Sequence, residues 1–113
     1  MIRIFAVALL FSASGACAAS QCFSDVQVVN VSLGYIDDDE VTVDSGNAVR
    51  FEFLTSDGRR YFTTLDWGLN LNDPVGRVMT QALQLAMTSG LRVTGYDHVG
   101  GTCDDVQEIQ LTN

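Results

Sequence analysis

The run N-D-P-V-G-R-V-M-T-Q-A-L-Q-L-A-M-T-S-G, residues 72–90, is the only segment of this chain with helical periodicity and a signal at both ends. Asp73 suits an N-cap, because its carboxylate can accept from the first free backbone N–H groups. Pro74 suits the first helical position, where no donor is needed, and Gly90 is a left-handed terminator. The signals predict a helix over Pro74 to Ser89, roughly 24 Å long at 1.5 Å per residue. Gly76 weakens its first turn by about 1 kcal/mol relative to alanine, so packing must hold it. Arg77, Thr80, Gln81, Gln84 and Thr88 form one polar strip. Val75, Val78, Met79, Ala82, Leu83, Leu85, Ala86 and Met87 cover the rest, a wider apolar arc than one buried face requires.

Outward from the helix the chain reads as short strands and turns. Upstream, the segment from Phe23 is rich in β-branched residues, with Gln27, Val29, Val31 and Leu33 alternating against Val26, Val28, Asn30 and Ser32. It predicts a long first strand, partly buried on both faces. Asp37, Asp38, Asp39 and Glu40 interrupt it before Val41-Thr42-Val43, and Ser45-Gly46-Asn47 is a turn. The segment from Val49 to Leu54 alternates with Val49, Phe51 and Phe53 inward, and Ser56-Asp57-Gly58 is a hairpin signal into Tyr61-Phe62-Thr63-Thr64-Leu65. Downstream of Gly90 lie a strand from Leu91 to Tyr96, a loop through His98, and a last strand from Val106 to Leu111. Strands, one helix and two more strands is the order of an OB-fold, a Greek-key barrel whose helix plugs one end. The alternative is an open α+β sheet with the helix on one face.

The first eighteen residues have the build of a secretory signal peptide: Arg3, an apolar run from Ile4 to Phe11, then small residues ending in Ala16-Cys17-Ala18. The apolar run is too short for a stable anchor, so no transmembrane anchor is expected after cleavage near Ala18 or Ala19. A lipoprotein acylated at Cys17 is the lesser alternative, because Ser14 is a poor residue for such a signal. Removing eighteen residues from 113 leaves 95, one small domain over 19–113. Loss of Arg3 takes the formal charge from −8 to −9, carried by fourteen Asp and Glu against five arginines and no lysine. Such a surface repels nucleic acid and anionic membrane. It suits a secreted or periplasmic chain.

Without Cys17 two cysteines remain, Cys22 and Cys103, and an oxidising compartment leaves them one possible disulfide. The long loop it closes is worth about 4.5 kcal/mol in the chain-entropy model. Two cysteines and one histidine argue against a zinc site. His98 reads as an exposed loop residue, since no nucleophile accompanies it, and no cofactor motif is present. The acidic residues 37–40 lack the alternating ligands and turn glycine of a calcium loop and read as a solvated strand edge. Trp67, Tyr35, Tyr61 and Tyr96 are candidates for stacking on sugars, although aromatics in a small domain more often serve as core or rim.

Phe23-Ser24-Asp25, followed after an apolar stretch by Gly34-Tyr35-Ile36-Asp37, resembles the opening strand of the B subunits of pertussis-like AB5 toxins, the group of the subtilase cytotoxin and typhoid toxin B subunits. Those chains read aromatic-Ser-x, a strand, then G-Q-I-D. Trp67, a helix containing Gln81-Ala82-Leu83 and ending Thr88-Ser89-Gly90, and a strand with Val93 are also similar to theirs. The resemblance touches most of the mature chain at scattered positions. It implies a non-enzymatic OB-fold subunit that forms a ring of five and binds cell-surface glycans, often sialylated, with helices lining a pore beneath a separate A subunit. Ser24 matches the serine that contacts the sialic acid carboxylate, Asp25 sits beside it, and Tyr96 falls one position from the family's binding-site tyrosine. The chain departs from the family in lacking a cysteine pair on neighbouring strands, in a longer connector after Trp67 and in its acidic run. Its charge would repel sialic acid unless Arg59, Arg60 or Arg92 compensates locally. The alternative function is a stand-alone periplasmic or envelope domain that uses the same barrel for protein contacts.

Overall fold

The computed structural model describes residues 19–36 and 46–113. The expected signal peptide with Cys17, the acidic residues 37–40 and the segment Val41-Thr42-Val43 lie outside the described residues. The helix, α1, spans Pro74–Ser89. The Asp73 carboxylate accepts from the Gly76 N–H at 2.9 Å, and Gly90, at φ 78°, donates its N–H to the Ala86 carbonyl at 2.9 Å. Both ends are therefore closed by the residues that local chemistry favours there.

The strands are β1 (Ser20–Gly34), β2 (Ala48–Leu54), β3 (Arg60–Leu65), β4 (Arg92–Asp97), β5 (Asp105–Val106) and β6 (Glu108–Thr112). They form one mixed sheet in the order β5-β3-β2-β1-β4-β6. The expected single last strand is two: β5 runs parallel to β3, and β6 runs antiparallel to β4. Gln107 alone separates them, and its N–H donates to the Tyr96 carbonyl at 3.1 Å while the Asp66 N–H donates to the Val106 carbonyl at 3.0 Å. The two outer strands of the sheet are thus one continuous stretch of chain. The sheet wraps round on itself, which is the closure of an OB-like barrel with one helix.

β1 is long enough to pair with β4 through its first half and β2 through its second. Its apparent two-faced alternation has a local cause. The register shifts between Gln21 and Phe23, between Phe23 and Val26, and again between Val28 and Asn30. Each extra residue bends the strand and resets which side chains face inward. Phe23, Val26 and Val28 are buried, whereas beyond Val29 the positions opposite the buried Phe51 and Val49 are Val31, half-buried, and Leu33, which is exposed at the end of the strand.

The core gathers Phe23, Val26, Val28, Val49, Phe51, Phe53, Leu65, Val93 and Val106 from the sheet with Met79, Leu83 and Ala86 from α1. Gly76 has a packing reason: a Cβ there would lie 2.3 Å from the Asn70 carbonyl oxygen, because the connector crosses the first turn at backbone contact. Gly95 is similar, with the Phe23 ring occupying the place of its missing Cβ. Thr80, assigned above to the polar strip, is buried. Its hydroxyl donates to the Gly76 carbonyl at 2.8 Å, so the helix itself satisfies it. The surplus apolar arc is real: Val75, Val78 and Leu85 are exposed and, with Ala82, follow a 3-4-3 spacing beside the buried face. Met87 follows the buried Leu83 by four residues and is less exposed than these three.

Candidate functional site

Pairing between β3 and β5 reaches only Thr64 and Leu65. The first four residues of β3, 60–63, pair with β2 on one side and, among the described residues, with no strand on the other. The wall facing this gap is covalent. Cys22 of β1 is disulfide-bonded to Cys103, with their Cα atoms 5.5 Å apart, as the cysteine count predicts.

Between the gap in β3 and the disulfide lies a cleft of about 300 Å³. Its lining includes Phe23 and Phe53, whose rings stack at 4.4 Å, and Tyr61, whose ring is 6.0 Å from that of Phe53. Tyr61 and Thr63 sit opposite the inward-facing Phe53 and Phe51 in the ladder. They point toward the barrel interior, but at a place where the barrel is open, and Tyr61 remains 46% exposed. Ser24, Thr55 and Thr63 bring hydroxyl groups, and the buried Thr63 Oγ1 has no hydrogen-bond partner among the described residues.

The Cys103 wall is held from behind by Asp97, which is buried. Its carboxylate accepts from the N–H groups of Val99 and Cys103, each at 2.9 Å. These two amides hold its proton affinity below the ordinary carboxylate range, against the opposing effect of burial. Cys103 itself takes a left-handed backbone, φ 64°, at the end of the loop so formed.

Of the residues singled out in the sequence, Ser24 lines the cleft, at a bulge of β1. Asp25 does not line it. It takes φ 55°, an uncommon backbone for a residue other than glycine, and its N–H donates to the buried Thr94 hydroxyl at 3.0 Å. Its part is to fix the bulge that turns Ser24 outward. Tyr96 belongs elsewhere, opposite Gln21, whose side-chain amide donates to its hydroxyl at 3.4 Å, and beside His98. The structure therefore joins Ser24 with Tyr61 and separates both from Tyr96. Trp67 and Tyr35 are exposed away from the cleft.

The arginines near the cleft are engaged. Arg59 lies 3.5 Å from Asp57 and interacts with the Tyr61 hydroxyl, which raises its hold on the proton. Arg60 lies 3.3 Å from Glu52, and the Arg50 guanidinium sits 4.0 Å over the Phe62 ring. Arg92 is exposed on β4.

Two polar clusters lie outside the cleft. His98 Nε2 is 2.6 Å from Glu108 Oε1 at the surface. Gln107 donates its side-chain amide to Asp105 at 2.9 Å and to Asp66 at 3.2 Å. Burial, with Asp66, Asp97 and Asp104 nearby, pushes the Asp105 carboxyl above its ordinary value. Among the described residues no three or more His, Cys, Asp or Glu are grouped to hold a metal ion, and no helix is long and apolar enough to cross a membrane. The chain matches no protein-family model, no curated protein and no solved structure.

Proposed function

We propose that this chain is a secreted, non-enzymatic glycan-binding domain of the toxin B-subunit type, with the cleft between β3 and the Cys22–Cys103 disulfide as its site. The observation that carries the reading is Ser24. The residue matched to the family's glycan-contacting serine lines a cleft that also contains an aromatic stack and further hydroxyl groups. Sugars are bound by that combination, with rings against their C–H faces and hydroxyls at their edges. The disulfide fits an oxidising compartment, secretory or periplasmic. Docking of a separate A subunit belongs to the same reading.

The exposed apolar seam of α1 supports assembly, and a ring of five is the form the resemblance implies. Val75, Val78, Ala82 and Leu85 carry no charge, so copies of the helix can meet there without like-charge repulsion. The same seam favours the second reading, an envelope domain that contacts other proteins. Glycan-array screening of the mature protein, with Ser24→Ala as control, separates the two: binding lost in the variant is the expected result. A correctly folded sample that binds no sugar overturns the glycan reading. Light scattering tests the ring. A Val78→Glu chain is expected to fall to monomer with its fold intact, and a wild-type monomer at micromolar concentration argues against a ring.

A further inference from the structure

We infer that the cleft takes the uncharged end of a saccharide, a neutral pyranose, rather than a sialylated one; this rests on the glycan reading above and specifies its ligand class. None of the residues that line the cleft is charged. A carboxylate brought into it would exchange water for aromatic rings, a disulfide and neutral hydroxyls, with no cation among the lining residues to compensate.

The rim adds repulsion. Asp25 adjoins Ser24, Asp104 adjoins Cys103, and Asp57 accepts a hydrogen bond from the Thr55 hydroxyl. Arg60, next to Tyr61 in sequence, lies 3.3 Å from Glu52, and Arg59 is shared between Asp57 at 3.5 Å and the Tyr61 hydroxyl, so both charges are already answered. An anionic sugar therefore meets a rim of net negative sign in a chain of formal charge −8.

A neutral pyranose meets complementary groups. Tyr61, 46% exposed and on the inward side of β3, offers ring surface to its apolar face. Ser24 and Thr55 can each accept from or donate to a sugar hydroxyl, and Thr63 brings a buried hydroxyl that has no partner among the described residues. At about 300 Å³ the cleft stands at the small end of ligand sites, which span about 300 to 1,000 Å³. That size suits one terminal ring and leaves the rest of a glycan in solvent.

The test is calorimetric titration of the mature, oxidised protein with lactose and, separately, with 3′-sialyllactose, which is the same disaccharide capped by a carboxylate sugar. Lactose is expected to bind at least tenfold more tightly, and Tyr61→Ala and Thr63→Val are expected each to weaken it at least tenfold. Preferential binding of sialyllactose overturns the inference while leaving the glycan reading in place, most directly if Arg59→Gln abolishes it. Lactose binding untouched by both variants places the sugar elsewhere and also overturns it. Failure to bind either sugar, followed by an empty array of neutral and sialylated glycans, removes the glycan reading itself.

Discussion

The two halves of β3 make the most instructive contrast in this molecule. At Thr64 the strand is paired on both sides, and Leu65, paired with Val106 of β5, is buried in the shared core. At residues 60–63 one side has no strand, Tyr61 and Phe62 are exposed, and a covalent bond stands across the gap. One strand thus serves as wall at one end and as site at the other. The difference is set by its neighbour: β5 is only two residues long, and where its hydrogen bonds stop the barrel must be held otherwise.

Removing the disulfide should break that contrast with the largest effect. Cys22→Ser with Cys103→Ser is expected to cost about 4.5 kcal/mol in denaturant melts by the chain-entropy estimate. Sugar binding should fall as well, because both cysteines line the cleft. A cost no greater than that of a surface substitution would mean that the open side is held by something else.

Next in size is a paired truncation along β3. Leu65→Ala should destabilise by about 2–5 kcal/mol, as buried leucines do. Tyr61→Ala, four residues earlier, should change stability by about 0.5 kcal/mol or less, as exposed positions do. Equal costs would show the two halves to be energetically alike and the cleft to be part of the core.

The smallest effect concerns pH at the paired end. Asp105 has its folded proton affinity raised, chiefly by burial and then by Asp66. Its contribution favours folding fully below the ordinary aspartate range and is lost as pH rises through the raised value. Asp97 has the opposite sign: its contribution is present above the ordinary value and is lost as pH falls through its lowered one. Asp105→Asn is therefore expected to raise Tm slightly at pH 7 and to flatten the stability profile on the alkaline side of the carboxylate range. A fall in Tm at pH 7 would contradict this assignment.

How much of this was readable beforehand follows the range of each interaction. Asp73, Pro74 and Gly90 announce α1 because capping is chemistry among residues four apart or fewer. Val49, Phe51 and Phe53 announce the inward face of β2 for the same reason. The division at Gln107 is invisible in the run from Val106 to Leu111, since it depends on β3 and β4, strands far away in sequence. The shift of β1 between Val28 and Asn30 is hidden because valines occupy both faces there and a phase change among valines leaves no mark, while the shifts between Gln21 and Val26 depend on pairing with the distant β4. Thr80 reads as polar until its bond to the Gly76 carbonyl is known. In the cleft, Ser24 comes from a resemblance and Tyr61 from its chemistry. Thr63 gains its meaning only from the place where β5 ends.

The single segment that carries β5 and β6 also sets an order of events. In a chain that is made or moved from its N-terminal end, β1, β2, β3, α1 and β4 are all present before Asp105 follows. Until then β3 and β4 have bare edges, which are the surfaces through which unfinished sheets pair with one another. A strand assembled by its neighbours in sequence would be protected early. Here protection arrives last, for β4 and for the Thr64–Leu65 end of β3 at once, so dilution or a holding chaperone should raise the yield of folded chains more than any added stability would.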